Sequence, residues 1–220
     1  MIDPGHGGHD HGAIGQFGTS EKDVVLSISK MLAKELSRDL GRVTLTRSKD
    51  KYISLDERDK IAVRKKADLF ISIHANAAND RKMGGVETYY LNNATDKAAE
   101  RLAERENKSL GKKMSDVQQI LSTMQQNFDT VESRKLAQHI QNSLVKNLSK
   151  KYKGIKDRKV RSALFYVLVG SKCPAVLVEA SFLSNPIEEK RLRSESYQME
   201  VALSIADGVR KYLNSVSYGT

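Results

Sequence analysis

The 220-residue chain carries a single cysteine, Cys173, and only three prolines. One thiol cannot form an intrachain disulfide, and a cysteine-rich zinc site is excluded. Cys173 precedes Pro174 at the start of an apolar stretch and reads as a core-facing residue rather than a nucleophile. No run approaches the roughly eighteen apolar residues of a membrane-spanning helix. Several catalytic signatures are also missing. The glycine-rich start lacks the Lys-Ser/Thr of a phosphate-binding loop and the GxGxxG spacing of a dinucleotide site. Neither a GxSxG elbow nor an HExxH zinc helix occurs. No targeting segment precedes Met1. Met1 and Ile2 leave almost no strand before Asp3, so a trimmed chain is expected, and the missing leader says little about location.

What is present is a basic chain of formal charge +10, 39% of it hydrophobic. That is enough apolar material for one large domain, or one domain with an insertion. The charge should draw polyanions such as nucleic acid, anionic lipid or anionic wall polymers. The basic residues are nevertheless spread widely, without the interleaved aromatics of a single-strand-binding surface. They read as a solvated face, and nucleic acid is not an expected partner.

The pattern along the chain alternates. Residues 19–40 repeat apolar positions at helical spacing through Val24, Val25, Ile28, Met31, Leu32 and Leu36. Ser20 and Asp23 there suggest a capping box. RVTLT at 42–46 reads as a strand and 55–66 as a short helix. LFISIHA at 69–75, VETYYL at 86–91, LFYVLV at 164–169 and AVLVEA at 175–180 read as further strands. A long helical stretch over 95–150 is expected to break near Gly111 and Asp129, and a last helix covers 197–213. This order predicts a three-layer α/β domain, with a mostly parallel sheet flanked by helices. The segment 95–130 is highly polar for core material. It reads as a helical insertion lying on the surface or across a cleft.

In an open α/β sheet, chemistry collects at the carboxyl ends of strands. DPGHGG after the first strand presents His6, LFISIHAN ends in His74, and AVLVEASF ends in Glu179. Two histidines and a carboxylate suit Zn²⁺ and leave a position for water. A further carboxylate would take and return a proton. Glu21, in the first turn of a helix, and Glu179 fill the ligand and base roles in either order on this reading. Each piece has a plainer explanation: a polar turn, a buried hydrogen-bonded histidine, an acid favoured at a helix start. Glu179, at the end of an apolar strand, is the hardest to dismiss.

Together these stretches resemble a known family, the zinc-dependent N-acetylmuramoyl-L-alanine amidases of the Amidase_3 type. DPGHGG at 3–8, EK at 21–22, LTR at 45–47, ADLFISIHAN at 67–76, GVETYYL at 85–91, FYVL at 165–168, PAVLVEASFLSNP at 174–186 and EE at 188–189 occur in family order over nearly the whole chain. The resemblance implies a twisted six-stranded sheet and an amidase catalytic domain spanning residues 1–220. It implies one zinc ion held by His6, Glu21 and His74, with Glu179 as base and proton shuttle. The implied reaction hydrolyses the amide joining N-acetylmuramic acid to L-alanine in peptidoglycan, in wall remodelling and daughter-cell separation. A monomer acting in the periplasm or cell envelope is expected.

The insertion resembles that of the division amidases of Gram-negative-type bacteria. In these a helix covers the zinc cleft until an activator with a LytM-type domain displaces it. Glu104, Glu106 and Asp116 are the candidate acids for reaching the metal. The chain departs from the family at His9 and His11, at Lys159 where many relatives have glycine, and at Val169 where a basic residue is common. Two alternatives stand beside this reading: a non-catalytic peptidoglycan-binding or sensing protein, and another zinc amidohydrolase.

Overall fold

The computed structural model of the chain describes residues 1–110 and 130–217. Its elements run β1 (Ile2–Pro4), α1 (Glu21–Leu36), α2 (Leu55–Arg64), β2 (Phe70–Asn76), β3 (Val86–Leu91), α3 (Lys97–Asn107), α4 (Thr130–Lys151), β4 (Asp157–Ala163), β5 (Ala175–Phe182), α5 (Pro186–Leu192) and α6 (Glu195–Ser217). The strands form one sheet in the order β1-β2-β5-β3-β4.

The expected strand count is corrected. The sheet has five strands, not six, and it is mixed, with three parallel pairings and one antiparallel. β1, β2 and β5 run parallel, as do β3 and β4, while β3 meets β5 antiparallel. The strand expected at 42–46 contributes only an isolated parallel bridge between Leu45 and Ile2. The one expected at 164–169 is a tight turn, with Leu168 N–H donating to Phe165 O at 3.1 Å. Its apolar side chains fill a core layer on one face of the sheet instead of joining the ladder. β4, DRKVRSA, escaped the sequence reading because it is an edge strand with exposed charges, and edges tolerate them. Lys159 within it takes φ 71°, and the register with β3 shifts nearby.

Alternation along the strands divides the apolar residues between two faces. Ile71, Ile73, Val176 and Val178 point to α1, α4 and α6, the larger core. Phe70, Tyr89, Ala175 and Leu177 point to α3 and the 165–169 turn. α1 buries Val24, Val25, Ile28, Leu32 and Leu36, as its periodicity predicts. Its capping box does not form: Ser20 makes no side-chain cap, and its hydroxyl donates to His11 O at 3.1 Å. α4 and α6 pack closely because Gly208 has no side chain; a Cβ there would lie 2.5 Å from Ile140 Cα.

Within the expected insertion, α3 is not a free surface arm. It buries Ala99, Leu102 and Ala103 against the sheet. Asp96 caps it, accepting from the N–H groups of Ala98 and Ala99 at 2.9 and 3.0 Å. The expected helix breaks near Gly111 and Asp129, and the candidate Asp116, lie outside the described residues. The expected terminal helix is longer and is preceded by α5.

Candidate active site

The site sits where β1, β2 and β5 end. β1 delivers the chain into Gly5–Gly8, where His6 takes φ 56° and is followed by Gly7 at 127° and Gly8 at 61°. A histidine in the left-handed region carries strain that neighbours must hold in place. Two buried arginines do so. Arg58 donates to Asp3 Oδ1 at 2.8 Å, to Pro4 O at 2.6 Å and to His6 O at 2.7 Å. Arg47 donates to Pro4 O at 3.1 Å and Gly5 O at 2.6 Å. Sequence reasoning gave neither arginine a role; the signal was the arginine of the LTR motif, whose backbone partners are invisible in a sequence.

Glu21 opens α1, and its carboxylate is fixed by backbone. Oε2 accepts from Ala13 N–H at 2.8 Å and Oε1 from Ala75 N–H at 3.0 Å. Gly12, at φ 63°, makes room: a Cβ would stand 2.6 Å from Glu21 Oε2 and from His6 Cδ2. Likewise, a Cβ at Gly5 would stand 2.5 Å from the His74 ring.

The structure brings His6, Glu21 and His74 together. Glu21 Oε1 lies 3.1 Å from His6 Nε2 and 3.1 Å from His74 Nδ1. The two rings meet edge to face at 5.0 Å between centroids. Glu106, from the last turn of α3, enters the same space: its Oε2 is 3.4 Å from His6 Nε2 and 3.3 Å from His74 Nδ1. His6, His74 and Glu106 each offer a ligand atom within 4.8 Å of the others. Of the two described acids singled out in the insertion, Glu104 is exposed and Glu106 reaches the cluster. Glu179 is the register partner of His74 across β2 and β5. It is fully buried, and among the described residues neither carboxylate oxygen has a hydrogen-bond partner. His9 stacks on Tyr52 instead, and His9 and His11 both stay outside the cluster.

The donor set fits a divalent cation. His6 Nδ1 meets Asp10 Oδ2 at 2.9 Å, a carboxylate–histidine arrangement that turns Nε2 inward. That Nε2 is buried and has no partner of hydrogen-bond geometry. Imidazole nitrogens and carboxylate oxygens are zinc ligands. Burial opposes protonation of His6 and His74, yet the acids outweigh it: Glu21 chiefly raises His6 far above its usual range, and Glu106 chiefly raises His74 to about 9. Burial also opposes ionisation of Glu21 and Glu106, and the histidines nevertheless hold both well below the carboxylate range. Burial pushes Glu179 well above that range, and Glu106 and Glu21 add to it against His74 and Arg105. A site that must otherwise gather protons to balance its acids is one where a bound cation supplies the missing charge.

An α/β sheet with a histidine–carboxylate cluster at its strand ends defines a class of protein with a metal-compatible centre. The family model described as N-acetylmuramoyl-L-alanine amidase matches residues 1–211, and the chain belongs to that family of peptidoglycan hydrolases. Its similarity to AmiA of Escherichia coli (strain K12), an N-acetylmuramoyl-L-alanine amidase, is 39% identity over 97% of this chain and 75% of the relative. LytC of Bacillus subtilis (strain 168), also named N-acetylmuramoyl-L-alanine amidase, is 36% identical over 96% of this chain and 35% of its own length. Among solved structures, AmiC2 of Nostoc punctiforme superposes with a TM-score of 0.75 at 33% identity, over 97% of this chain and 95% of that one. The N-acetylmuramoyl-L-alanine amidase from Clostridium difficile 630 gives 0.76 at 34% identity, with the same coverage. Among the described residues, no helix is long and apolar enough to cross a membrane.

Proposed function

We propose that this chain is a zinc amidase that cleaves the bond between N-acetylmuramic acid and L-alanine in peptidoglycan, and that it is autoinhibited as it stands. The observation that carries the reading is the meeting of His6, Glu21 and His74 with Glu179 in register beside His74. His6, Glu21 and His74 hold the metal. Zinc, when bound, supplies a Lewis acid for the scissile carbonyl.

The protein residues do the rest. Asp10 orients His6 through Nδ1, and the backbone of Ala13 and Ala75 orients Glu21. Glu179 takes a proton from water as its oxygen adds to the carbonyl carbon. It returns that proton to the alanine nitrogen as the C–N bond breaks. Among the described residues, neither of its oxygens meets a competing donor. The products are a glycan bearing the lactyl carboxylate and a free stem peptide.

Glu106 supports the closed reading, because its carboxylate lies against both histidines. α3 is latched there. Arg105 donates to Asn76 Oδ1 at 3.2 Å. Asn107 donates to Leu164 O at 2.7 Å and accepts from Tyr166 N–H at 2.8 Å. Displacing this helix is the task of a LytM-type activator in the proposed scheme. Within the catalytic domain at 1–220, residues 95–130 act as the regulatory insertion. The enzyme works as a monomer in the periplasm or cell envelope, in daughter-cell separation.

Digestion of purified peptidoglycan followed by mass spectrometry tests the reading, with zinc and with chelator. Chelator-sensitive release of free stem peptides is expected, weak from the intact chain and strong from Glu106→Ala. No release by either protein, with zinc bound and the fold intact, overturns it.

A further inference from the structure

The two acids of the EE stretch, Glu188 and Glu189, lie in α5 and outside the histidine cluster. Both are buried, and each grips a different part of the chain. Glu188 accepts from Gly85 N–H and from Phe182 N–H, both at 2.7 Å. Glu189 reaches instead to the loop that precedes α1. Its Oε1 accepts from Phe17 N–H at 2.9 Å and from Thr19 N–H at 3.3 Å. Gly15 leaves room for it: a Cβ there would stand 2.2 Å from Glu189 Cδ. The neighbouring Lys190 places its Nζ 5.3 Å from the centre of the Phe17 ring.

This loop is a small hairpin. Ile14 and Ser20 form an antiparallel bridge. Gly15 N–H donates to Thr19 O at 2.9 Å, and Gly18 N–H to Gly15 O at 3.1 Å. Burial does little to hold it, because Ile14 is 63% and Phe17 42% exposed. Gly15 and Gly18 also leave the unfolded loop freer than other residues would. The buried fastening of the hairpin is the Glu189 carboxyl. At its root stands the metal site. Glu21 N–H donates to Ala13 O at 2.9 Å, and Ala13 N–H donates to Glu21 Oε2 at 2.8 Å. Ala75, which orients the other oxygen of Glu21, is held within β2. Ala13 has the hairpin to hold it.

We propose that Glu189 is a positioning residue for the metal site: through the 13–20 hairpin it keeps Ala13 N–H against Glu21 and so fixes the carboxylate that binds zinc. The proposal rests on the reading in which Glu21 is a zinc ligand. A group ordered before binding loses less freedom when its partner arrives, and outer groups that orient ligands are worth about 10–100-fold in metal affinity.

The test measures zinc dissociation constants of the full chain by competition with a chromogenic chelator, beside the melting temperature of the zinc-free protein. Glu189→Ala is expected to weaken zinc by about 10–100-fold. Glu189→Gln keeps an acceptor for both N–H groups and should bind zinc as wild type does. Glu188→Ala removes the other buried acid of the same helix; it should lower the melting temperature and leave zinc affinity unchanged. Gly15→Ala drives a methyl group into the Glu189 carboxyl and should repeat the zinc loss, so the test stands even if Glu189→Ala does not fold. Unchanged zinc affinity in folded Glu189→Ala or folded Gly15→Ala protein overturns the proposal. So does a loss in Glu188→Ala as large as that in Glu189→Ala, which would mark a general loosening, or a Gln variant as weak as the Ala one. Glu21→Ala separates this failure from that of the metal assignment. If it leaves zinc affinity unchanged, Glu21 is no ligand and both fall. If it weakens zinc while Glu189→Ala does not, only the positioning role falls.

Discussion

His74 and Glu179 are direct partners across β2 and β5, yet they occupy opposite electrostatic situations. His74 Nδ1 is 3.1 Å from Glu21 Oε1, and two acids favour its charge. Glu179 is buried with no hydrogen-bond partner among the described residues, and burial disfavours its charge. One residue is equipped to join a cation centre and the other to carry a proton beside it.

The first prediction separates those roles. Glu179→Gln should retain zinc at wild-type stoichiometry and lose hydrolysis by about 10²–10⁴-fold, the usual share of general acid–base catalysis. Metal content and peptidoglycan turnover measured on one preparation decide it. A folded variant that has lost its zinc would reverse the assignment of ligand and base.

Glu106→Ala should raise basal turnover by at least about tenfold, the gain expected if less than about a tenth of molecules are open. The point variant is a cleaner test than excising residues 95–130, because α3 also contributes Leu102 and Ala103 to the core. Turnover at or below wild type in a folded, zinc-replete Glu106→Ala protein would count against autoinhibition.

Asp59 gives a prediction about pH, away from the metal cluster. Burial raises its carboxyl from 3.8 to about 8, with Asp3 and Asp56 adding to the effect against the N–H of Gly170. The folded chain then keeps a proton that the unfolded chain releases above about pH 4. Stability from this group is fully present below that pH and is lost as pH rises through about 8. Asp59→Asn cannot ionise and still offers an oxygen to Gly170 N–H, which now bonds Asp59 Oδ2 at 3.1 Å. Its melting temperature should gain on wild type steadily between pH 4.5 and 8.5. Parallel curves would show that Asp59 does not titrate in that window.

Lys159 holds φ 71° with an exposed side chain. A left-handed backbone costs an L-residue about 1–2 kcal/mol, part of which glycine's larger unfolded-state entropy cancels. Lys159→Gly should therefore stabilise the fold by up to about 1 kcal/mol, or about 2–4 °C in melting temperature. The ion pair from Lys159 Nζ to Asp157 is exposed, and its loss offsets little of this. A lower melting temperature would show that Asp157 and Lys159 matter more to the β4 edge than backbone strain does.

Much of this protein is local information. The periodicity of α1 and the apolar runs of β2, β3 and β5 announce elements that bury those faces wherever they dock, because period and hydrophobicity are properties of the chain itself. His6, His74 and Glu179 stood out for the same reason, as polar groups at the ends of apolar strands, and Glu21 as an acid at a helix start; the structure brings His6, Glu21 and His74 together. The pairing pattern was not. RVTLT and LFYVLV have strand composition, but one makes a single bridge and the other fills a core layer, whereas the charged DRKVRSA takes the edge. Strand identity there depends on which backbone lies alongside, which no local window contains. The site's second tier is equally nonlocal. Arg58 and Arg47 hold a left-handed His6 through backbone carbonyls, and Glu106 was one of three equivalent acids until α3 docked. The sequence by itself determined which groups could do the chemistry. Only the tertiary structure decided that Glu106 stands against the histidines, because that depends on α3 docking across the sheet.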